Sequence, residues 1–202
     1  MPNAAAKAAN NSPAAFPWVI IVAGCLVAAM TFGPRSAMGF FQLPMLADLG
    51  WDRTTFAMAM ALQNLCWGLG QPVFGAIADR YGSWRVLFLS AILYAGGLTM
   101  MAVADAPVWL YVGGGVLIGL AVAAGSFGII LAAFARNVAP EKRSFAFGLG
   151  TAAGSAGMFL FAPITQGLIE TVGWSDTLIY LAIAMLTVPV LAIALRGNAS
   201  SG

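Results

Sequence analysis

The sequence predicts an all-α membrane protein with six transmembrane helices, and three observations support that prediction. Hydrophobic residues make up 61% of the 202 residues and charged residues only 8%, with a mean hydropathy of +0.90. No water-soluble domain has so few polar residues, so lipid must surround most of the chain. Six apolar stretches each approach or exceed the roughly 20 residues that cross a bilayer. The charged residues fall almost entirely between these stretches.

The ends of the six stretches carry the expected start signals of helices. Pro17 and Pro107 suit first-turn positions, and Asp52, Asp105 and Asp176 suit N-caps. The spans are predicted at about 17–47, 54–78, 84–104, 107–134, 144–169 and 177–195. Together the six spans are predicted to form one six-helix domain over 17–196. Residues 1–16 are expected to be a disordered cytoplasmic lead rather than a cleaved signal peptide, and 197–202 the start of a central loop or a tail.

The distribution of charge predicts the orientation. With the N-terminus inside, the inner segments contain seven basic residues, whereas the outer loops contain Arg53 alone beside five acids. Basic residues concentrate on the cytoplasmic side of membrane proteins, so both termini are expected in the cytoplasm. The inner basic residues are Lys7, Arg80, Arg85, Arg136, Lys142, Arg143 and Arg196, and the outer acids are Asp48, Asp52, Asp105, Glu170 and Asp176.

The chain repeats itself at an offset of about 90 residues, although chance similarity between alanine- and glycine-rich segments is the alternative. The corresponding segments are 17–19 and 107–109, 52–57 and 141–146, and 79–82 and 170–173. The two repeats, about 17–105 and 107–196, would each hold three spans. An odd number of spans inverts the second copy relative to the first, which gives a 3+3 inverted repeat.

Two spans in corresponding positions of the repeats are interrupted. The first is expected to break at Gly33-Pro34-Arg35, and the fourth carries the run Gly113-Gly114-Gly115. Paired interruptions of this kind indicate a substrate pathway.

Arg35 is the one charge well inside an apolar span, where charge is costly and normally faces a cavity or a partner. Its functional interpretation is an anchor for an anion, because guanidinium binds carboxylate through two parallel hydrogen bonds. The structural alternative is that it extends outward towards Asp48 or packs against another helix end.

The second span contributes Asn64 and Gln71, seven residues apart on one helix face with Trp67 between them. Both side chains could line a polar path for the substrate. The alternative is hydrogen bonding between helices inside the bundle.

The loop after the second span has a distinctive pattern at Gly75, Asp79, Arg80, Gly82 and Arg85. Asp79 lies near a helix C-terminus, where the macrodipole disfavours an acid, so it needs a basic side chain or a helix N-terminus as partner. The pattern resembles the glycine-x-x-x-aspartate-arginine-x-glycine signature of the major facilitator superfamily, except that the family usually has further basic residues at the positions of Ser83 and Trp84. The resemblance implies a gating loop and the N-terminal half of a 12-helix fold.

The segments 39–44 and 49–53 resemble bacterial members of the monocarboxylate and oxalate/formate transporter group, which often has an arginine at the position of Arg35. This resemblance implies secondary transport of a small organic anion such as a monocarboxylate, by alternating access and possibly with a coupled proton. It further implies a second six-helix half, either absent here or supplied by another chain, and a bacterial inner membrane as the location. A drug or sugar permease of the same superfamily, or a non-transporting membrane scaffold, is the alternative.

Other residue patterns predict architecture and exclude several functions. Gly115 with Gly119, and Gly150 with Gly154, form small-x-x-x-small faces for close helix packing. There is no phosphate-binding loop, nucleophile elbow or basic nucleic-acid patch, and no histidine. Cys25 and Cys66 lie within apolar segments, where neither a disulfide nor a metal site is expected. No enzymatic activity, catalytic residue, cofactor or metal is therefore predicted.

Overall fold

The structure, a computed structural model, describes residues 17–196. This part of the chain is helical throughout, with short turns between the helices and no β-strand. The prediction of an all-α fold is confirmed. The expected lead (1–16) and tail (197–202) lie outside the described residues.

Six helical rods, here called the first to sixth spans, follow one another along the chain. The first span comprises α1 (Trp18–Ser36), a 3-10 turn (Met38–Phe41) and α2 (Gln42–Leu49). The second is α3 (Arg53–Tyr81), and the third is α4 (Ser83–Ala102). The fourth comprises α5 (Pro107–Leu110), a π-helical segment (Tyr111–Leu117), α6 (Ile118–Ala124) and α7 (Phe127–Asn137). The fifth is α8 (Pro140–Val172), and the sixth comprises α9 (Trp174–Met185) and α10 (Val188–Ala194).

Five of these six rods in the described chain are long and apolar enough to cross a bilayer, and the second span is the exception. At 29 residues α3 is long enough to cross. Its composition is less apolar because Gln63, Asn64 and Gln71 all lie within it. The polar residues of this span therefore distinguish it from its neighbours.

Asp52 begins the second span as the sequence predicts. Its side chain is the N-cap of α3, where Oδ1 accepts a hydrogen bond from the Thr55 backbone N–H at 2.8 Å and from the Thr55 hydroxyl at 3.0 Å. A carboxylate at this position satisfies an amide that has no partner within the helix.

The predictions of Asp105 and Asp176 as N-caps are wrong. The cap of α5 is Ala106, and the cap of α9 is Gly173, with no side-chain hydrogen bond in either case. Gly173 has φ of 86°, so the chain turns into the sixth span earlier than expected and leaves Asp176 in the first helical turn. A carboxylate there still complements the helix dipole.

The packing of the spans has the symmetry that a repeat requires. The first span packs along the fifth, and the fourth packs along the second. The third packs on the fourth as the sixth packs on the first, and the third and sixth contact each other. Exchanging the first with the fourth, the second with the fifth and the third with the sixth therefore reproduces the same set of contacts. The fold is a 3+3 arrangement, and most of its buried core lies on the first, third, fourth and sixth spans.

The first span does not break at Gly33-Pro34-Arg35, so that prediction is corrected. The α-helix continues to Ser36 and gives way to the 3-10 turn at Met38. The turn can start later because the Ser36 hydroxyl donates to the Gly33 carbonyl at 2.7 Å and the Ala37 N–H to the Pro34 carbonyl at 3.2 Å.

The fourth span is interrupted twice. The glycine run from Gly113 to Gly115 lies within the π-helical segment, and the helix stops again at Ser126, whose ψ of 154° is extended. Ser126 follows Met38, where the first span turns, by nearly the offset of about 90 residues that separates the two repeats. The two interrupted spans therefore occupy equivalent positions in the two repeats, as the sequence predicts.

Candidate functional site

The side chain of Arg35 joins the first and second spans near the middle of both. Its Nη2 donates to Asn64 Oδ1 at 2.6 Å, and its guanidinium lies 4.4 Å from the ring centre of Trp67. Asn64 is oriented for this contact because its own Nδ2 donates to the Met60 carbonyl at 2.8 Å. The guanidinium is half-buried and Asn64 is exposed, so the pair lies on a side of the bundle that no other described span covers.

The surroundings of Arg35 contain donors that lack acceptors. Arg35 Nε, Trp67 Nε1 and the Tyr94 hydroxyl are buried and make no hydrogen bond to any described residue. Tyr94, on the third span, is fully buried and lies within electrostatic range of Arg35. Buried donors are normally paired, so a cluster of unpaired ones suits a ligand rich in acceptor oxygens. We call Arg35, Asn64, Trp67 and Tyr94 the arginine cluster.

The structure does not pair Arg35 with Asp48, which was one of the alternatives for this residue. Asp48 Oδ2 instead accepts a hydrogen bond from Trp174 Nε1 at 3.1 Å. Within the described chain, Arg35 therefore remains a cation without a carboxylate partner.

Gln71 does not join the arginine cluster. It is exposed and makes no hydrogen bond to a described residue, and it lies about two helical turns, or roughly 10 Å, beyond Asn64 along α3. Gln63, which is buried, donates from Nε2 to the Gly114 carbonyl in the π-helical segment at 2.8 Å. Gln63 and Asn64 thus both make hydrogen bonds between helices, Gln63 to the fourth span and Asn64 to Arg35 of the first.

The loop between the second and third spans turns at Gly82, whose φ of 90° favours glycine. Asp79 lies 4.0 Å from Arg136 Nη1, at the end of the fourth span, and Arg136 Nη2 donates to the Ser83 hydroxyl. The basic partner that Asp79 requires is therefore present in this chain. In the sequence, Arg136 indicates the orientation, and its predicted position at the same end of the bundle as Asp79 also identifies it as a possible partner.

The two arginines of the loop motif lie over aromatic rings. Arg80 lies 5.4 Å from the ring centre of Tyr81, and Arg85 lies 5.3 Å from that of Trp84. Arg196 approaches the same Trp84 ring at 4.9 Å, which ties the end of the sixth span to the start of the third.

The four glycines expected at helix crossings lie at different kinds of contact. A Cβ on Gly119 would lie 2.6 Å from the Gln63 carbonyl oxygen, and one on Gly115 would lie 3.0 Å from Leu62 Cβ, so both glycines lie against the second span. Gly150 and Gly154 instead lie against the rings of Phe134 and Phe127 in the fourth span.

The first and fifth spans also cross closely at a glycine that is not one of these four. A Cβ on Gly157 would lie 2.5 Å from Ala29 Cα. Gly157 follows Gly154 by three residues, so it lies on the same helix face. Gly75 differs from all of these, because no described residue outside its own helix turn lies within 4 Å of its Cβ position.

Comparison with known proteins identifies the family. The model of the Major Facilitator Superfamily matches residues 15–201. The chain belongs to the Major Facilitator Superfamily.

Relatives within this superfamily include monocarboxylate transporters. Monocarboxylate transporter 11 of Mus musculus is 30% identical over 207 residues, which cover 97% of this chain and 43% of the relative. Monocarboxylate transporter 9 of Gallus gallus is 27% identical over 87% of this chain and 34% of the relative. The MFS-type transporter pynF of Aspergillus niger is 27% identical over 79% of this chain and 37% of the relative. The chain thus spans less than half the length of these superfamily members.

The comparison confirms the resemblance that the sequence suggested, both to the superfamily and to its monocarboxylate transporters. It agrees with the six helical rods, and the chain is a multi-pass membrane protein. The relatives compared above are transporters by name. Among residues 17–196, no group of three His, Cys, Asp or Glu side chains is arranged to hold a metal ion, and Cys25 and Cys66 are free.

Proposed function

We propose that this chain is one half of a secondary transporter that moves a small organic anion, such as a monocarboxylate, by alternating access. The observation that supports this most directly is the arginine cluster, which is rich in hydrogen-bond donors and poor in acceptors. The names of the related monocarboxylate transporters point to the same class of solute.

Arg35 is the proposed anchor for the solute. Its guanidinium offers five N–H groups, and one hydrogen bond, from Nη2 to Asn64, is formed within the described chain. A carboxylate could accept two parallel hydrogen bonds from the remaining N–H groups. The contact with the Trp67 ring restricts the guanidinium and reduces the entropy lost on binding.

Asn64 is proposed to orient the arginine and to contact the solute at the edge of the site. Gln71, exposed further along α3, is proposed to line the path by which the solute enters or leaves, rather than the binding position itself. Both residues belong to the span that is the least apolar of the six, as expected for a helix that borders water.

A second six-helix half is the proposed partner of this chain. The fifth span is largely exposed, and Gly148 and Gly167 within it have open space at their Cβ positions. Gly68 and Gly75, on the equivalent second span, have the same open space. Small residues on exposed helix faces permit close contact with further helices, so we propose that the two halves meet along these two spans.

The proposed orientation places the Asp79–Arg136 end of the bundle in the cytoplasm, because the basic residues concentrate there. A bacterial inner membrane is the location we propose. Among the described residues, Asp and Glu lie only near the ends of the spans. A proton that accompanies the anion would therefore be carried by the solute itself or by the second half.

Uptake competition tests the proposed function. Cells that produce the protein in its natural genetic context are given labelled pyruvate together with an excess of lactate, glucose or tetraphenylphosphonium. Competition by lactate alone is the expected result, since a donor-rich site selects carboxylates. Competition by glucose or by the hydrophobic cation, without competition by lactate, would instead indicate a sugar or drug permease.

A further inference from the structure

A cavity of about 380 Å³ lies where the third span ends and the fourth begins. It is lined by Gly96, Thr99, Met100, Val103, Asp105 and Trp109, none of which belongs to the arginine cluster. Val103 and Trp109 are exposed, so the cavity opens on the outside of the bundle.

Gly96 keeps this cavity open. No described residue outside its own helix turn lies within 4 Å of its Cβ position, whereas a Cβ on the adjacent Gly97 would lie 2.8 Å from the Gly113 carbonyl oxygen. Gly97 is therefore required for helix packing, but Gly96 is not. A glycine inside a helix is less stable than an alanine, and here no close contact offsets that cost. Its effect is to leave a groove beside Met100 and Val103.

The rim of the cavity combines a carboxylate with an aromatic ring. Asp105 is exposed and makes no hydrogen bond or ion pair with any residue in 17–196. Trp109, which lines the same cavity, is 45% exposed to solvent. A carboxylate and an indole face together favour an ammonium group, through an ion pair and a cation–π contact.

The charges at this end of the bundle determine which headgroup fits. The described residues there include five acids and one base: Asp48, Asp52, Asp105, Glu170 and Asp176 with Arg53. This acidic surface repels a headgroup with a net negative charge and favours a zwitterionic one whose ammonium group can approach the carboxylates. The apolar wall of Met100 and Val103 suits an acyl chain.

We propose that this cavity is a binding site for a phospholipid with a primary ammonium headgroup, phosphatidylethanolamine. The ammonium group donates hydrogen bonds to the Asp105 carboxylate and lies against the Trp109 ring. The acyl chain follows the groove that Gly96 leaves open. The site is independent of solute transport, because it shares no residue with the arginine cluster.

Native mass spectrometry of the full chain in detergent tests this proposal. The protein is incubated with equal amounts of phosphatidylethanolamine, phosphatidylcholine and phosphatidylglycerol, and the bound lipid is counted. The wild-type chain should retain phosphatidylethanolamine at least threefold better than phosphatidylglycerol. Asp105→Asn should abolish that preference, and Gly96→Leu should reduce retention of phosphatidylethanolamine by filling the groove.

Asp176→Asn is the matched control, because it removes an acid from the same end of the bundle but not from the cavity. It should retain the lipid preference of the wild type. If Asp105→Asn and Asp176→Asn lose the preference for phosphatidylethanolamine equally, the proposed site is contradicted. Such a result would indicate only a general effect of charge. If the wild type retains phosphatidylethanolamine and phosphatidylglycerol equally, the proposed site is contradicted without any variant. If it retains phosphatidylcholine as well as phosphatidylethanolamine, the assignment to a primary ammonium group is contradicted.

Discussion

Trp174 donates a hydrogen bond from Nε1 to Asp48 Oδ2 at 3.1 Å, and this contact joins the start of the sixth span to the end of the first. At the opposite end of the bundle, Arg136 at the end of the fourth span donates to Ser83 at the start of the third. Exchange of the two repeats relates these contacts to each other. Each repeat thus uses a polar side chain at the end of its first span to hold the third span of the other repeat.

The glycines beside these two contacts are also equivalent. Gly82 and Gly173 precede the third and sixth spans, with φ of 90° and 86°. The superfamily loop motif covers Gly82 but not Gly173. The second repeat therefore has the same turn geometry at Gly173 and an equivalent contact between Trp174 and Asp48, without the motif itself.

Removal of the acceptor at Asp48 should destabilise the bundle. Asp48→Ala leaves Trp174 Nε1 without a partner, which should lower the free energy of unfolding by about 1 kcal/mol. Asp48→Asn keeps an acceptor oxygen and should lose less than half of that amount. Thermal unfolding in detergent measures both variants, and equal unfolding temperatures for alanine and wild type would show that the hydrogen bond contributes nothing.

Gly119 should not tolerate a side chain. Its Cβ position lies 2.6 Å from the Gln63 carbonyl oxygen, so Gly119→Leu must force the second and fourth spans apart and should cost about 3 kcal/mol. Gly148→Leu is the control, because open space surrounds its Cβ position. It should leave thermal unfolding of the isolated chain unchanged or raise its temperature, and similar losses in both variants would contradict the packing described.

The cap at Asp52 should make the start of the second span sensitive to acid. Hydrogen bonds from the Thr55 backbone N–H and then the Thr55 hydroxyl hold the pKa of Asp52 below its usual value. The cap is therefore fully formed above the ordinary pKa of an aspartate and is lost as the pH falls through the lower value of the folded state.

Hydrogen exchange at the Thr55 amide measures this effect. The protection factor of this amide, which compares the observed rate with the intrinsic rate at the same pH, should fall in the wild type as Asp52 is protonated. Asp52→Asn, an uncharged cap, should abolish that fall. If Asp52→Asn shows the same pH dependence of protection as the wild type, a group other than Asp52 causes it.

Asp79 should matter little for the stability of the isolated chain. Its side chain is 77% exposed and lies 4.0 Å from Arg136, an arrangement in which an ion pair contributes less than about 1 kcal/mol. Asp79→Asn should therefore shift thermal unfolding slightly, and the shift should disappear in high salt. Arg136→Ala should destabilise more, because it also removes a hydrogen bond to buried Ser83. A larger loss from Asp79→Asn than from Arg136→Ala would reverse this ranking.

The sequence predicts the number and order of the spans because lipid imposes a minimum length on each apolar stretch. It also predicts the repeat, since markers such as the Asp79 and Glu170 segments keep their spacing. It does not predict where the first span turns, because local hydrogen bonds from Ser36 and Ala37 carry the helix past Pro34. The widened turn around Gly114 likewise depends on Gln63 of another helix.

The candidate site could be predicted residue by residue but not as an arrangement. A charge within an apolar span identifies Arg35, and helix periodicity places Asn64 and Gln71 on one face. Which of these two reaches the arginine depends on the rotation and crossing of two helices, which neither sequence segment encodes alone. The same dependence explains why Gly157, rather than Gly154, lies against the backbone of the first span.

Saturation-transfer NMR tests the central claim, that Arg35 holds an organic anion, most directly. The full chain in lipid nanodiscs is mixed with millimolar pyruvate, and transfer to the pyruvate methyl group is measured. Wild-type protein should transfer saturation, Arg35→Lys should transfer less because it keeps charge without the paired donors, and Arg35→Ala should transfer none. Gln71→Ala should behave as the wild type. Undiminished transfer in Arg35→Ala would contradict the claim.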